Sequence, residues 1–174
     1  MLIILEGPDG AGKTTLANAL SEKLGGVEIR HCGPLTQPPL DEYVRDLYDY
    51  YVRGTGDIIY DRHYMGELIY GPLYRGKSQI DFPTRYAIET FLNMCGALLV
   101  HVTNDLKTLR KRCELRGEDF LKPEDIEHVR AMYYEEMLHA QVRFKITTTG
   151  TDKDTVEDIL WLASNMEYKL RRKQ

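Results

Sequence analysis

The run Gly7-Pro8-Asp9-Gly10-Ala11-Gly12-Lys13-Thr14 satisfies the pattern G-x-x-x-x-G-K-[ST] at every position. Its context is as constraining as the pattern. A short apolar run, residues 2–5, precedes it, and a stretch with Leu16, Ala17, Leu20 and Leu24 at helical spacing follows. Strand, glycine-rich loop and helix in that order form a cradle for an anion. The glycines let successive backbone N–H groups turn inward, and the helix start adds its partial positive charge. The sequence therefore predicts a triphosphate site built from Gly7, Asp9, Gly10, Ala11, Gly12, Lys13, Thr14 and Thr15. ATP is the expected cofactor, with Lys13 reaching between the terminal phosphates and the Thr14 hydroxyl on Mg²⁺.

The remainder of the chain alternates in the same manner. Residues 2–5, 27–30, 57–60, 97–102 and 143–148 read as short strands. Between them, residues 13–24, 40–53, 83–95, 105–116, 124–141 and 154–171 carry apolar residues three and four apart. Strand and helix in turn predict an α/β domain of the P-loop NTPase class, with a central parallel five-stranded sheet and helices on both faces. Pro123, with Glu124 and Asp125 behind it, reads as a helix start. The segment 33–39, with three prolines and a glycine, reads as a binding loop after the second strand. At 174 residues, with no repeat or linker, a single domain over 1–174 is expected.

Composition excludes several classes. No apolar run approaches the roughly 20 residues of a membrane span, and no basic segment precedes residues 1–5, so no membrane partner and a cytoplasmic location are expected. Cys32, Cys95 and Cys113 show no Cys-x-x-Cys spacing and read as thiols. A net charge of −4 argues against nucleic acid as the main partner. No Asn-Lys-x-Asp element of a guanine-specific switch occurs.

Beyond the third apolar run stand Asp61 and Arg62, at a strand end where ligands of open parallel sheets sit. With residues 6–15, then Asp61-Arg62-His63-Tyr64, then residues 112–119 (Arg-Cys-Glu-Leu-Arg-Gly-Glu-Asp), the chain resembles the thymidylate kinase family, in that family's order and at about its spacings. The resemblance implies transfer of the ATP γ-phosphoryl group to a deoxynucleoside monophosphate. It implies that Asp9 faces the acceptor sugar, that Asp61 lies near the metal with Thr14, and that Arg62 holds the acceptor phosphate. It further implies a short lid, about 112–122, carrying Arg112 and Arg116. With Pro8 and Ala11 in the loop, the catalytic arginine must come from that lid, so Lys13, Asp9, Arg62, Arg112 and Arg116 form the expected catalytic set. A homodimer is also implied.

The chain departs from that pattern beside the base. Where the family has a serine and a glutamine, this chain reads Met65-Gly66-Glu67-Leu68-Ile69-Tyr70-Gly71-Pro72, and the run to Gly76 looks more like phage-encoded relatives of these kinases. Such relatives imply a dTMP-like or modified pyrimidine acceptor. Tyr64, Tyr70 and Tyr74 are candidates for a stacking wall, with core packing as the alternative for each. Arg75 is a candidate for phosphate or base, Arg30 for the acceptor phosphate, and His31 is either a site residue or a strand end. The rival reading keeps the chemistry and changes the acceptor to a hydroxyl of a nucleoside, or of a hydroxymethylated base in DNA. The basic residues Lys107, Arg110, Lys111, Arg112, Lys169, Arg171, Arg172 and Lys173 would then touch the polymer.

Overall fold

The computed structural model describes residues 1–54, 56–116, 121–122 and 124–171, apart from the side chains of residues 116 and 166–171. Five strands, β1 (Leu2–Glu6), β2 (Glu28–His31), β3 (Ile58–Asp61), β4 (Leu98–Val102) and β5 (Phe144–Thr148), form one all-parallel sheet in the order β2-β3-β1-β4-β5. Burial follows that order. Every residue of β1, β3 and β4 is buried, whereas β2 and β5 at the edges are half exposed. A strand covered on both faces is apolar over most of its length, which is why the Ile/Leu/Val runs occupy the centre, with Glu6 and Asp61 only at the strand ends.

Seven α-helices are described: α1 (Lys13–Lys23), α2 (Arg45–Arg53), α3 (Tyr64–Arg75), α4 (Phe82–Cys95), α5 (Leu106–Arg116), α6 (Ile126–His139) and α7 (Lys153–Arg171). A π-helical turn, Leu40–Val44, leads into α2. The connection β1-α1-β2 crosses the sheet in one direction and β3-α3-α4-β4 in the other. Right-handed crossovers therefore put α1 and α3/α4 on opposite faces. Helix α1 packs with α7, and α3 and α5 pack with α6. Because the neighbours β1 and β3 send their chains to opposite faces, a crevice opens at their C-terminal ends, which is where such sheets bind ligands.

Predicted strand and helix bounds lie within about two residues of the observed ones, a normal discrepancy at element ends. Helix α6 begins at Ile126 rather than 124, and Pro123 lies outside the described residues. One helix, α3, was not foreseen. Gly66, Gly71 and Pro72 weaken its intrinsic tendency, an interior proline alone opposing a helix by about 3 kcal/mol. Burial of Met65 and Ile69 against the core outweighs that local preference. Among the described residues no helix is long and apolar enough to cross a membrane.

Candidate active site

The loop between β1 and α1 is held open by its glycines. Gly7, Gly10 and Gly12 all have positive φ. At Gly7 (φ 152°) a Cβ would also fall inside the radius of the Val102 carbonyl oxygen, so no side chain fits between the loop and β4. Helix α1 starts without a side-chain cap and without an acid in its first turn. Its first N–H groups have no intrahelical acceptor, so this end of the helix suits an anion. Lys13, only 6% exposed, donates from Nζ to the carbonyls of Gly7 and Pro8, each at 2.8 Å. Burial, and then the nearby Arg62 cation, depress its pKa to about 7. A dianionic phosphate in this cradle would reverse that bias. Thr15 is exposed in the first turn of α1.

The Thr14 hydroxyl donates to Asp61 Oδ2 at 2.6 Å, and His31 Nδ1 stands 3.2 Å from the same oxygen. Among the described residues no cluster of three or more His, Cys, Asp or Glu is arranged to hold a metal. One hydroxyl beside one carboxylate nevertheless fits Mg²⁺, which takes few protein ligands and draws the rest from phosphates and water.

Arg62 ties the loop to β3. Its N–H extends the sheet by donating to Leu5 O (2.9 Å), and its own φ is +72°, the single positive value among described residues other than glycine. Such a conformation is held at a cost of about 1–3 kcal/mol. It aims the guanidinium back at the loop, where Nη2 donates to Asp9 and Nη1 to Gly7 O (3.1 Å) and the Tyr133 hydroxyl (2.9 Å). The Tyr70 hydroxyl donates to the other Asp9 oxygen at 2.7 Å, and the Tyr70 ring lies 5.3 Å from the guanidinium carbon. Burial works against the Arg62 charge, but Tyr133, Tyr70 and Asp9 hold its pKa above the usual arginine value.

These groups face a cavity of about 600 Å³, large enough for a nucleoside or nucleotide. Loop residues and Asp61 form one end. Helix α3 forms a wall with Gly66, Glu67, Tyr70, Tyr74 and Arg75, and residues 31–34 close a side. Tyr70 and Tyr74, one turn apart, lie with rings parallel within 3° and centroids 6.0 Å apart, and both line the cavity. Glu67, 5% exposed, pairs with Arg75 and accepts the Gln79 N–H at 2.9 Å. Gly71 makes room for that pair, since a Cβ there would stand 2.7 Å from Glu67 Oε1 and 3.1 Å from Arg75 Nη2.

Of the residues that the sequence singled out, Lys13, Asp9, Thr14, Asp61, Arg62, Tyr70, Tyr74 and Arg75 line this one cavity. Arg112 approaches the loop from the opposite side, with Nη1 donating to Gly10 O at 2.9 Å. Two residues are corrected. Tyr64 is fully buried, donates to Glu89 at 2.8 Å and does not line the cavity, so core packing is its role. Arg30 points along the sheet edge, paired with Glu28 and Asp46 at 2.8 and 3.0 Å, and is likewise absent from the lining. The expected lid is helical through Arg116. The Arg116 side chain and the hinge at Gly117-Glu118-Asp119 lie outside the described residues, as do the side chains of the basic tail.

Sequence reasoning missed Glu6, Glu67 and Tyr133. Glu67 and the tyrosines share a face only because residues 64–75 are a helix, and the i, i+3, i+7 spacing of Glu67, Tyr70 and Tyr74 was the available signal. Glu6, fully buried at the end of β1, accepts the backbone N–H groups of His63 (2.9 Å) and Met65 (3.0 Å) through Oε1. An acid closing an otherwise apolar buried strand was the signal there. Burial raises its pKa to about 7, against the pull of Arg62 and of the two N–H donors.

No family model matches the chain. It is similar to the prophage-derived uncharacterized protein YorR of Bacillus subtilis, with 27% identity over 170 residues, covering 92% of this chain and 98% of that one. The crystal structure of YorR in complex with phosphorylated GDP superposes with a TM-score of 0.75 at 24% identity over 97% of this chain and 98% of YorR. The deoxyadenosine kinase of M. mycoides with bound dATP gives a TM-score of 0.60 at 19% identity over 95% of this chain and all of that one. The same enzyme with dCMP and dCDP gives 0.57 at 19% identity, covering 95% and 99% of the two chains. These likenesses, with the sheet order and the loop described above, establish the P-loop NTPase fold, which the chain shares with these structures.

Proposed function

We propose that the chain is an ATP-dependent kinase that transfers the γ-phosphoryl group to a deoxynucleoside monophosphate held in the cavity beside the phosphate loop. The observation that carries this reading is the Asp9–Arg62 pair. A residue inside the phosphate loop is bonded to an arginine on the acceptor side, so donor and acceptor sites share one wall. Phosphoryl transfer asks little covalent chemistry of a protein and much alignment and charge. Lys13 supplies the cation at the phosphate being transferred, and the α1 amides hold the polyphosphate. Asp9 takes a sugar hydroxyl, Arg62 the acceptor phosphate, and the Tyr70/Tyr74 surface packs against the base. Arg112, with Arg116, adds cationic charge from the donor side. Thr14 and Asp61 would hold Mg²⁺, whose charge would offset that of the phosphates.

A specific observation favours a second acceptor, a deoxynucleoside hydroxyl. Among the cavity's lining residues three acids, Asp9, Asp61 and Glu67, balance three bases, Lys13, Arg62 and Arg75, and both arginines are already ion-paired. A neutral acceptor would displace neither pair, and deoxyadenosine kinases share the fold. A transfer screen from ATP to deoxynucleosides and their monophosphates separates the two. Under the leading reading, monophosphates are converted to diphosphates with higher kcat/KM than nucleosides are to monophosphates. The reverse order would move the proposal to the nucleoside.

A further inference from the structure

Helix α3 carries the whole aromatic and Glu67–Arg75 wall of the cavity, yet its own sequence begins it poorly. Its N-cap residue, His63, provides no side-chain cap. The first N–H groups of a helix need acceptors, and a buried start without them is costly. Glu6 supplies them from another element. Its Oε1 accepts both the N–H of His63, at the cap position, and that of Met65, in the first turn. The chain between these donors and β3 is the left-handed turn at Arg62, whose N–H is fixed to Leu5 O, one residue before Glu6. The backbone is thus fixed on both sides of this turn, at the Arg62 N–H by Leu5 O and at the N–H of the next residue, His63, by Glu6.

We infer that Glu6 is a positioning residue that couples the phosphate loop to the acceptor wall, capping α3 from the end of β1 and holding Arg62 in the conformation that reaches Asp9. Glu6 immediately precedes Gly7, so the residue that opens the loop also anchors the helix facing it. The inference rests on the kinase reading for its kinetic consequence, but not for its structural one. The role needs an accepting oxygen at Oε1 and no net charge. Burial that favours the protonated acid agrees with this, because a proton on Oε2 leaves Oε1 free to accept.

The test has two arms. Amide hydrogen exchange in the wild-type protein should show the His63 and Met65 N–H groups protected as strongly as the interior of α3. Exchange as fast as that of an exposed first turn would overturn the inference, whatever the enzyme does. In kinetics, Glu6→Leu should raise the acceptor KM by about tenfold or more while leaving the affinity for a non-hydrolysable ATP analogue within about twofold. Glu6→Gln, which keeps an accepting oxygen, should recover most of that loss. In the Arg62→Ala background Glu6→Leu should add little, because both changes act through one group. Equal losses in nucleotide and acceptor binding, or additive losses in the double variant, would overturn the inference. If Glu6→Leu does not fold, the exchange result alone decides. Wild-type protein without acceptor-dependent turnover would refute the kinase reading while leaving the exchange result to judge Glu6.

Discussion

Arg62 donates to Asp9 across 53 residues of sequence, and that bond joins the phosphate loop to the strand end beside it. Asp9 also accepts from Tyr70, so the loop, β3 and α3 meet at one carboxylate. In the proposed reaction, an acceptor that engages Asp9 and Arg62 would be set against a phosphate in the loop, which is the alignment that phosphoryl transfer requires.

Removing that arginine should therefore be felt by the acceptor first. Arg62→Ala is expected to raise the acceptor KM by about tenfold or more with a much smaller change in KM for ATP. Steady-state kinetics with each substrate varied in turn checks this. An unchanged acceptor KM and turnover would remove Arg62 from the acceptor site.

In the proposed reaction Lys13 acts on charge in the transition state, and in the free protein it is buried at a desolvation cost. Lys13→Ala is expected to lower kcat by about 10³-fold. The melting temperature should stay within about 4 °C of wild type, since the lost bonds to Gly7 O and Pro8 O are offset by relief of the buried ammonium's desolvation. Calorimetry and turnover on the same sample test both halves.

The correction at Tyr64 is itself testable. Tyr64→Phe should cost about 1–2 kcal/mol in urea unfolding, because Glu89 loses a buried donor, while acceptor KM stays at the wild-type value. A rise in KM without loss of stability would return Tyr64 to the base site.

Glu6 gives a pH signature. Its folded pKa of about 7 lies above the ordinary 4.5, so folding favours the protonated acid. Its contribution to stability is complete below pH 4.5 and is lost as pH rises through about 7. The stability difference between wild type and Glu6→Gln should accordingly fall over that window, by up to about 1.4 kcal/mol per pH unit. Using the difference removes the opposing effect of the buried, neutral His63 and His101. A difference that does not change with pH would contradict the assignment.

The phosphate loop and the sheet were legible in the sequence because both rest on local signals, glycine spacing in the one and continuous apolar runs in the other. The α3 wall of the cavity was not. In α3 the glycines and Pro72 argue locally for a loop, and the helix exists because β1 lends it a cap and the core buries Met65 and Ile69. Tyr64, Tyr70 and Tyr74 look equivalent in sequence. Once the helix is in place, Tyr64 turns to Glu89 and the other two to the cavity. Arg30 failed for a related reason, since its partners Glu28 and Asp46 lie along a sheet edge whose position the sequence does not announce.

The most direct measurement is phosphate transfer from γ-labelled ATP to a panel of deoxynucleoside monophosphates and deoxynucleosides, with Lys13→Ala as control. Label should move to at least one monophosphate in an acceptor-dependent reaction that the Lys13 variant lacks. ATP turnover independent of every acceptor, or no transfer to any of them, would contradict the account.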